Sequence, residues 1–134
     1  MEYVSLFSNF TWKIYVPVSI FSLSSSPLES LCIYLKDGLN LSYSEIARWL
    51  NRDPRNVRWS YLNGKKKVKK LKVEYNIMIP LSVLTNKEFT IFENLVIFLH
   101  DELKFSFTHM SRLLNRSVST IYTVYMRGKI KYER

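Results

Sequence analysis

The chain is written twice. Ile14-Tyr15-Val16-Pro17-Val18-Ser19-Ile20 returns 63 residues later as Ile77-Met78-Ile79-Pro80-Leu81-Ser82-Val83. One inserted residue later, 29–67 aligns with 93–131 without a gap, and 15 of those 39 positions are identical. The shared residues include Glu29/Glu93, Asp37/Asp101, Asn51/Asn115, Arg52/Arg116, Tyr61/Tyr125 and Gly64/Gly128. At 134 residues there is room for one ordinary domain or two very small ones. The duplication therefore restricts the fold to two copies of one small unit, divided at 1–72 and 73–134.

Each copy reads as a short extended segment followed by three helices, so the expected class is mainly α. The extended segments, Trp12–Ile20 and Tyr75–Val83, are rich in β-branched and aromatic residues but carry Pro in the middle. That confines them to edge pairing, with each other as the natural choice. The first helix shows an apolar i, i+3, i+4, i+7 stripe at Leu28, Leu31, Cys32 and Leu35, repeated at Phe92, Leu95, Val96 and Leu99. Ser26-Pro27-Leu28-Glu29 and Ser42-Tyr43-Ser44-Glu45 read as capped helix starts. The second helix is short, with Ile46, Ala47 and Leu50 inward, and Met110, Ser111 and Leu114 in the other copy. Asn51-Arg52-Asp53-Pro54 is a turn that also opens the third helix. Asp53 serves as its cap and Ser117 as the cap in copy two. Val57 and Tyr61, or Ile121 and Tyr125, form the inner face of that helix.

Charge gives this architecture a partner. Twenty Lys and Arg against eleven Asp and Glu leave a net charge of +9. Residues 48–72 hold ten of the basic residues and one acid, a surplus equal to that of the whole chain. Such a patch points to a polyanion. A single cysteine excludes an internal disulfide and fits a reduced cytosolic setting. The apolar run Ile14–Leu23 resembles a signal-peptide core, but its relative recurs in mid-chain, and it is far short of the roughly 20 residues that span a bilayer. No membrane role is expected.

A short helix with a small residue near its middle, a tight turn, and a third helix with a β-branched inner residue describe a helix-turn-helix. Two short helices cross closely where Ala47 or Ser111 sits, and Val57 or Ile121 locks one onto the other. The outer face of the third helix is then free to enter a major groove about 12 Å wide. Residues 42–57, Ser-Tyr-Ser-Glu-Ile-Ala-Arg-Trp-Leu-Asn-Arg-Asp-Pro-Arg-Asn-Val, followed by a basic run, resemble the DNA-binding helix-turn-helix of sigma-factor region 4 and of the LuxR-type regulators. The likeness covers 42–67 well and 106–131 more loosely. It departs where Asn51 and Asn115 replace the usual Gly, and where copy two has Ser111 for Ala and His109 for the capping Glu.

The resemblance implies double-stranded DNA as partner and the third helix as reader. By it, Arg55, Asn56, Arg58, Trp59 and Asn63 meet base edges or the adjacent backbone, while Arg52, Lys65, Lys66 and Lys67 hold phosphates. The corresponding set in copy two is Ser119, Thr120, Tyr122, Thr123 and Arg127, with Arg116, Lys129 and Lys131 toward phosphates. Copy two is less charged, with eight basic and five acidic residues over 78–134, so it either reads DNA weakly or serves as a protein interface, for RNA polymerase or another partner. The chain would then act as a covalent pseudo-dimer, with homodimerisation left open, in the cytoplasm at the nucleoid. Transcriptional regulation is the expected role. A sequence-indifferent DNA coat and an RNA- and protein-binding adaptor of the transcription or translation machinery are the alternatives. The aromatic share also allows base-stacking, although most aromatics fall on stripe or strand positions. Catalysis, metal and cofactors find no support: His100 and His109 lie on different helices without a companion ligand set, and no Gly-rich phosphate loop is present.

Overall fold

The computed structural model describes residues 14–133. Its elements run β1 (Tyr15–Pro17), α1 (Pro27–Ile33), α2 (Tyr43–Leu50) and α3 (Pro54–Lys67), then β2 (Met78–Pro80), α4 (Ile91–Ile97), α5 (Phe107–Leu114) and α6 (Val118–Glu133). The fold is mainly helical, with one two-stranded antiparallel sheet. Trp12 and Lys13, at the start of the first expected extended segment, lie outside the described residues.

The strands are shorter than expected, and proline is the reason. Pro17 and Pro80 sit at non-hydrogen-bonded positions of the pair, where no N–H faces the other strand, and at φ of −70° and −64° they lead directly into single 3-10 turns at Val18–Ser22 and Leu81–Leu84. What remains is a pair centred on Val16 opposite Ile79, with Tyr15 facing Pro80 and Pro17 facing Met78. Val16 and Ile79 are equivalent positions of the two copies. The Val18 amide donates to the Ile77 carbonyl at 3.0 Å, and the Leu81 amide donates to the Ile14 carbonyl at 2.8 Å. Those bonds exchange when the copies are exchanged, so a local two-fold axis passes between Val16 and Ile79. The pair has the self-complementary form of a symmetric dimer interface, built within one chain.

Helix boundaries follow the caps. Ser26, Ser42 and Thr90 each accept from the amide three residues on, while Glu29, Glu45 and Glu93 accept from the cap's own amide. Asp53 caps α3 through the Arg55 amide at 2.7 Å. Asn51 and Asn115 end α2 and α5 at φ 56° and 53°, the left-handed conformation that Asn tolerates. The first helix of each copy does not stop where its α-helical bonding ends. It widens into a π turn, Tyr34–Gly38 and Phe98–Glu102. Asn40 and Lys104 then reverse the chain at φ 59° and 62°. Even this irregularity is duplicated.

Most of the expected inner faces are buried, while Leu28, Phe92, Ser111, Tyr61 and Tyr125 are only partly covered. Leu31, Cys32, Leu35, Ile46 and Leu50 pack in one continuous core with Leu95, Val96, Leu99, Met110 and Leu114, joined through Val16, Val18, Ile79 and Leu81. Val57 and Ile121 seal the third helices onto it. The third helix of each copy lies across the first, and the contact is made at a glycine. A Cβ at Gly64 would stand 2.8 Å from Ile33 Cδ1 and 3.0 Å from Glu29 Cβ. At Gly128 it would stand 2.6 Å from Ile97 Cδ1 but 3.5 Å from Glu93 Cβ.

These distances order two substitutions. In Gly128→Ala the crowded atom is the tip of the half-buried Ile97, which can rotate away, and the gain of about 1 kcal/mol in helix propensity partly offsets the crowding. In Gly64→Ala, buried Ile33 and the Cβ of Glu29 both resist, so overpacking of about 1–3 kcal/mol should dominate. Thermal unfolding should show Gly64→Ala melting below Gly128→Ala. The opposite order would mean that the two crossings are not packed as described.

Candidate nucleic-acid interface

The helix–turn–helix unit of copy one is assembled by short-range rules. Ser42 and Glu45 fix the start of α2, and Asn51 turns the chain. The Arg52 amide returns to the Ala47 carbonyl at 2.9 Å. Ile46, Ala47 and Leu50 face the core and leave a surface on which Val57 sits. The opposite side of α3 carries Arg55, Trp59, Leu62 and Lys66, spaced i, i+4, i+7, i+11, with Asn56 and Arg58 on its flanks. These six are exposed: Trp59 is 66% accessible and the Arg55 side chain 91%. Leu62 was not anticipated from the charge pattern, yet it lies on the same stripe. Arg55 donates to Asp53 Oδ2 at 3.1 Å, an ion pair at the helix start that holds the Asp53 carboxyl below its usual value. Among the described residues, Arg58 and Lys66 have no internal hydrogen-bond or ion-pair partner.

The structure places the other candidates differently. Asn63 is half-buried beside the crossing glycine. Lys65 and Lys67, expected to hold phosphates, are spent on the fold. Lys65 donates to Asp37 Oδ2 at 3.0 Å, and Lys67 donates to both oxygens of Glu29 at 3.0 and 3.2 Å. Tyr61 completes the clamp by donating to Asp37 Oδ1 at 2.7 Å. Arg52, also expected on phosphates, is half-buried near the starts of α1 and α4, where its Nε is covered and unpartnered.

Copy two repeats the clamp. Tyr125 and Lys129 donate to Asp101 at 2.8 and 2.9 Å, and Lys131 donates to Glu93 at 2.7 Å. Arg127 Nε stands 3.8 Å from the same Glu93, whose side chain is almost fully buried. Arg116, a further phosphate candidate, is a structural residue. It donates to the carbonyls of Leu114 and Asn115 at 3.0 and 3.2 Å, and across the copies to the Leu23 carbonyl at 3.2 Å. Asn115 Nδ2 reaches the Ser22 carbonyl at 3.4 Å, so the turn of copy two is docked on copy one. Ser119, Thr120 and Thr123 are exposed at the outer face, with Ser117 bonded to both Ser119 and Thr120. The rest of that face is apolar: Val118, Tyr122, Met126 and Ile130 are exposed at four-residue spacing.

The electrostatics of the clamps follow from their partners. Burial pushes Asp37, Asp101, Glu29 and Glu93 upward, but hydrogen bonds and lysines outweigh it and hold all four below their ordinary values. The carboxylate bonded to Tyr61 raises its hydroxyl to about 12. His100, which replaces Lys36 in copy two, stacks on Phe107 at 4.3 Å and bonds the Phe105 carbonyl through Nδ1 at 2.8 Å. It is a packing residue, occupying the place where Lys36 lies 4.2 Å over the Tyr43 ring. Cys32 is buried, which pushes its thiol up to about 12. Among the described residues no cluster of three His, Cys, Asp or Glu could hold a metal, and no helix is long and apolar enough to cross a membrane.

No protein-family model matches the chain, nor does any curated protein or any solved structure.

Because the four carboxyls are held below their ordinary values of 4.5 and 3.8, their contribution to stability is complete above those values. It is lost as the pH falls through the lowered ones. An Asp37→Asn, Asp101→Asn double variant should be less stable at neutral pH, and its melting temperature should fall less steeply on acidification. Parallel curves for variant and parent would remove the clamps from the account.

Proposed function

We propose that the protein binds double-stranded DNA through the outer face of α3, which enters the major groove and reads sequence there. The observation that carries this is the exposed stripe of Arg55, Arg58, Trp59 and Lys66, with Asn56 beside it, on the helix that the turn presents to solvent. An α-helix with its side chains is about 10–12 Å across, the width of the groove. Arg pairs two acceptors on guanine, Asn does so on adenine, and Trp59 can meet sugar or a thymine methyl. Lys66 is exposed and fits a phosphate. Arg52 and Arg116 act as scaffold in this reading, and Lys65 and Lys67 contribute field while staying in their clamps. Transcriptional regulation from the cytoplasm, at the nucleoid, is the role such a reader fits. The local two-fold axis that relates the strands of the two copies is the kind of symmetry that relates the halves of a helix-turn-helix dimer.

A second reading applies to copy two. Lys129, Lys131 and Arg127 face Asp101 and Glu93, which leaves one of their three positive charges uncompensated, and the exposed stripe of α6 is apolar. This favours a protein partner over DNA for α6, RNA polymerase being one that a regulator would meet.

Arg58→Ala should lower affinity for the preferred site by about 1–3 kcal/mol and relax selection at one base pair. Lys66→Ala should weaken all sequences alike and reduce the slope of log K against log salt by about one. Neither should change the melting temperature, since both side chains are exposed and unpartnered. Binding titrations on the best and a scrambled duplex across salt concentrations check both. If Arg58→Ala weakens the two duplexes equally, α3 does not read bases.

A further inference from the structure

The ends of α1 and α3 and the segment 69–75 enclose a cavity of about 360 Å³ that the DNA-reading face does not use. Three ammonium groups border it, Lys65, Lys69 and Lys70, against one carboxylate, Asp37. Asp37 is already engaged by Tyr61 and Lys65, and among the described residues Lys69 and Lys70 have no hydrogen-bond or ion-pair partner. The site thus carries a surplus of about two positive charges. Its remaining walls are apolar or aromatic. Tyr34 is buried with its ring laid along Gly38, where a Cβ would come within 3.2 Å. Tyr75 stands exposed on the other side. Leu39 and Val73 are left partly uncovered at the rim.

We propose that this cavity binds a small aromatic phosphate of nucleoside-monophosphate size. The dianion would rest on Lys69 and Lys70, and the flat ring would lie against Tyr75 and the apolar rim of Leu39 and Val73. The volume lies at the lower end of small-molecule sites, which are mostly apolar with a few placed polar groups. The charge surplus matches a dianion, and the exposed Tyr75 offers a face on which any base can stack. Divergence between the copies supports a dedicated site. At the equivalent positions copy two has Phe98 for Tyr34, Glu102 for Gly38 and Glu133 for Lys69. The clamp pair Asp37 and Lys65 is kept as Asp101 and Lys129, and Leu39 and the basic place of Lys70 are kept as Leu103 and Arg134, while Tyr34, Gly38 and Lys69 are not. The site does not depend on DNA binding and is testable without DNA.

The test is calorimetric titration of the full chain with adenosine 5′-monophosphate, and separately with adenosine and with inorganic phosphate. Amide chemical shifts would locate the contacts. Saturable binding of the monophosphate is expected, with shifts at 34–39 and 69–75 and far weaker binding of either fragment. The Lys69→Ala, Lys70→Ala double variant should lose tenfold or more in affinity, and Tyr75→Ala should also weaken binding. All three side chains are exposed, so melting temperatures should not change. Three results would overturn the proposal: no saturation by about 10 mM, phosphate alone binding as well as the nucleotide, or the lysine double variant binding unchanged.

Discussion

The contact on which the rest of the structure depends is the crossing of the third helix over the first. Each copy is too small to hold its third helix by core burial alone. Instead α3 and α6 are brought close by Gly64 and Gly128, locked inward by Val57 and Ile121, and tied at the far end by Asp–Tyr–Lys and Glu–Lys clamps. Close approach costs the helix an alanine's worth of propensity at each glycine. In return it places the carboxylates of the first helix within reach of the lysines of the third. Those lysines are then engaged in orienting the helix, and the outer stripe is left to other residues.

The second constraint is the strand pair. Val16 faces its own equivalent, Ile79, and the flanking amide bonds exchange across the same axis. A pair of three-residue strands would be marginal alone. Here it is sealed by Val18, Leu81 and the two first helices in a core common to both copies. The symmetry is not complete. Asn115 and Arg116 bond to the carbonyls of Ser22 and Leu23, whereas the equivalent Arg52 leaves its Nε unpartnered. One copy therefore leans on the other, and the two outer faces differ: charged on α3 and apolar on α6.

Much of this was legible in the residues. The repeat, the apolar stripes, the caps at Ser26, Ser42, Asp53 and Ser117, and the left-handed Asn51 and Asn115 are local signals with local causes, and the structure has them. Charge was less legible, because composition counts lysines without saying what they face. Lys65, Lys67 and Lys129 each need a carboxylate from a residue 28 or 38 positions away, which no local spacing reveals. The shared Asp37/Asp101 and Glu29/Glu93 in the repeat were the available hint. The π turns after Ile33 and Ile97 carry no propensity signal of their own. The strands are short because 3-10 turns begin directly after Pro17 and Pro80, where β-propensity alone would continue the extended chain. Leu62 was passed over because a search for basic residues does not look for an apolar one among them.

The central claim is that α3 reads duplex DNA by sequence. Selection of bound sites from random duplex DNA, followed by titration of the recovered site and a scrambled one over a range of salt, tests it most directly. The account predicts an enriched motif whose advantage over the scrambled duplex persists as salt rises. Affinity without enrichment, falling equally for both duplexes as salt is added, would contradict it and leave a coat of basic charge in place of a reader.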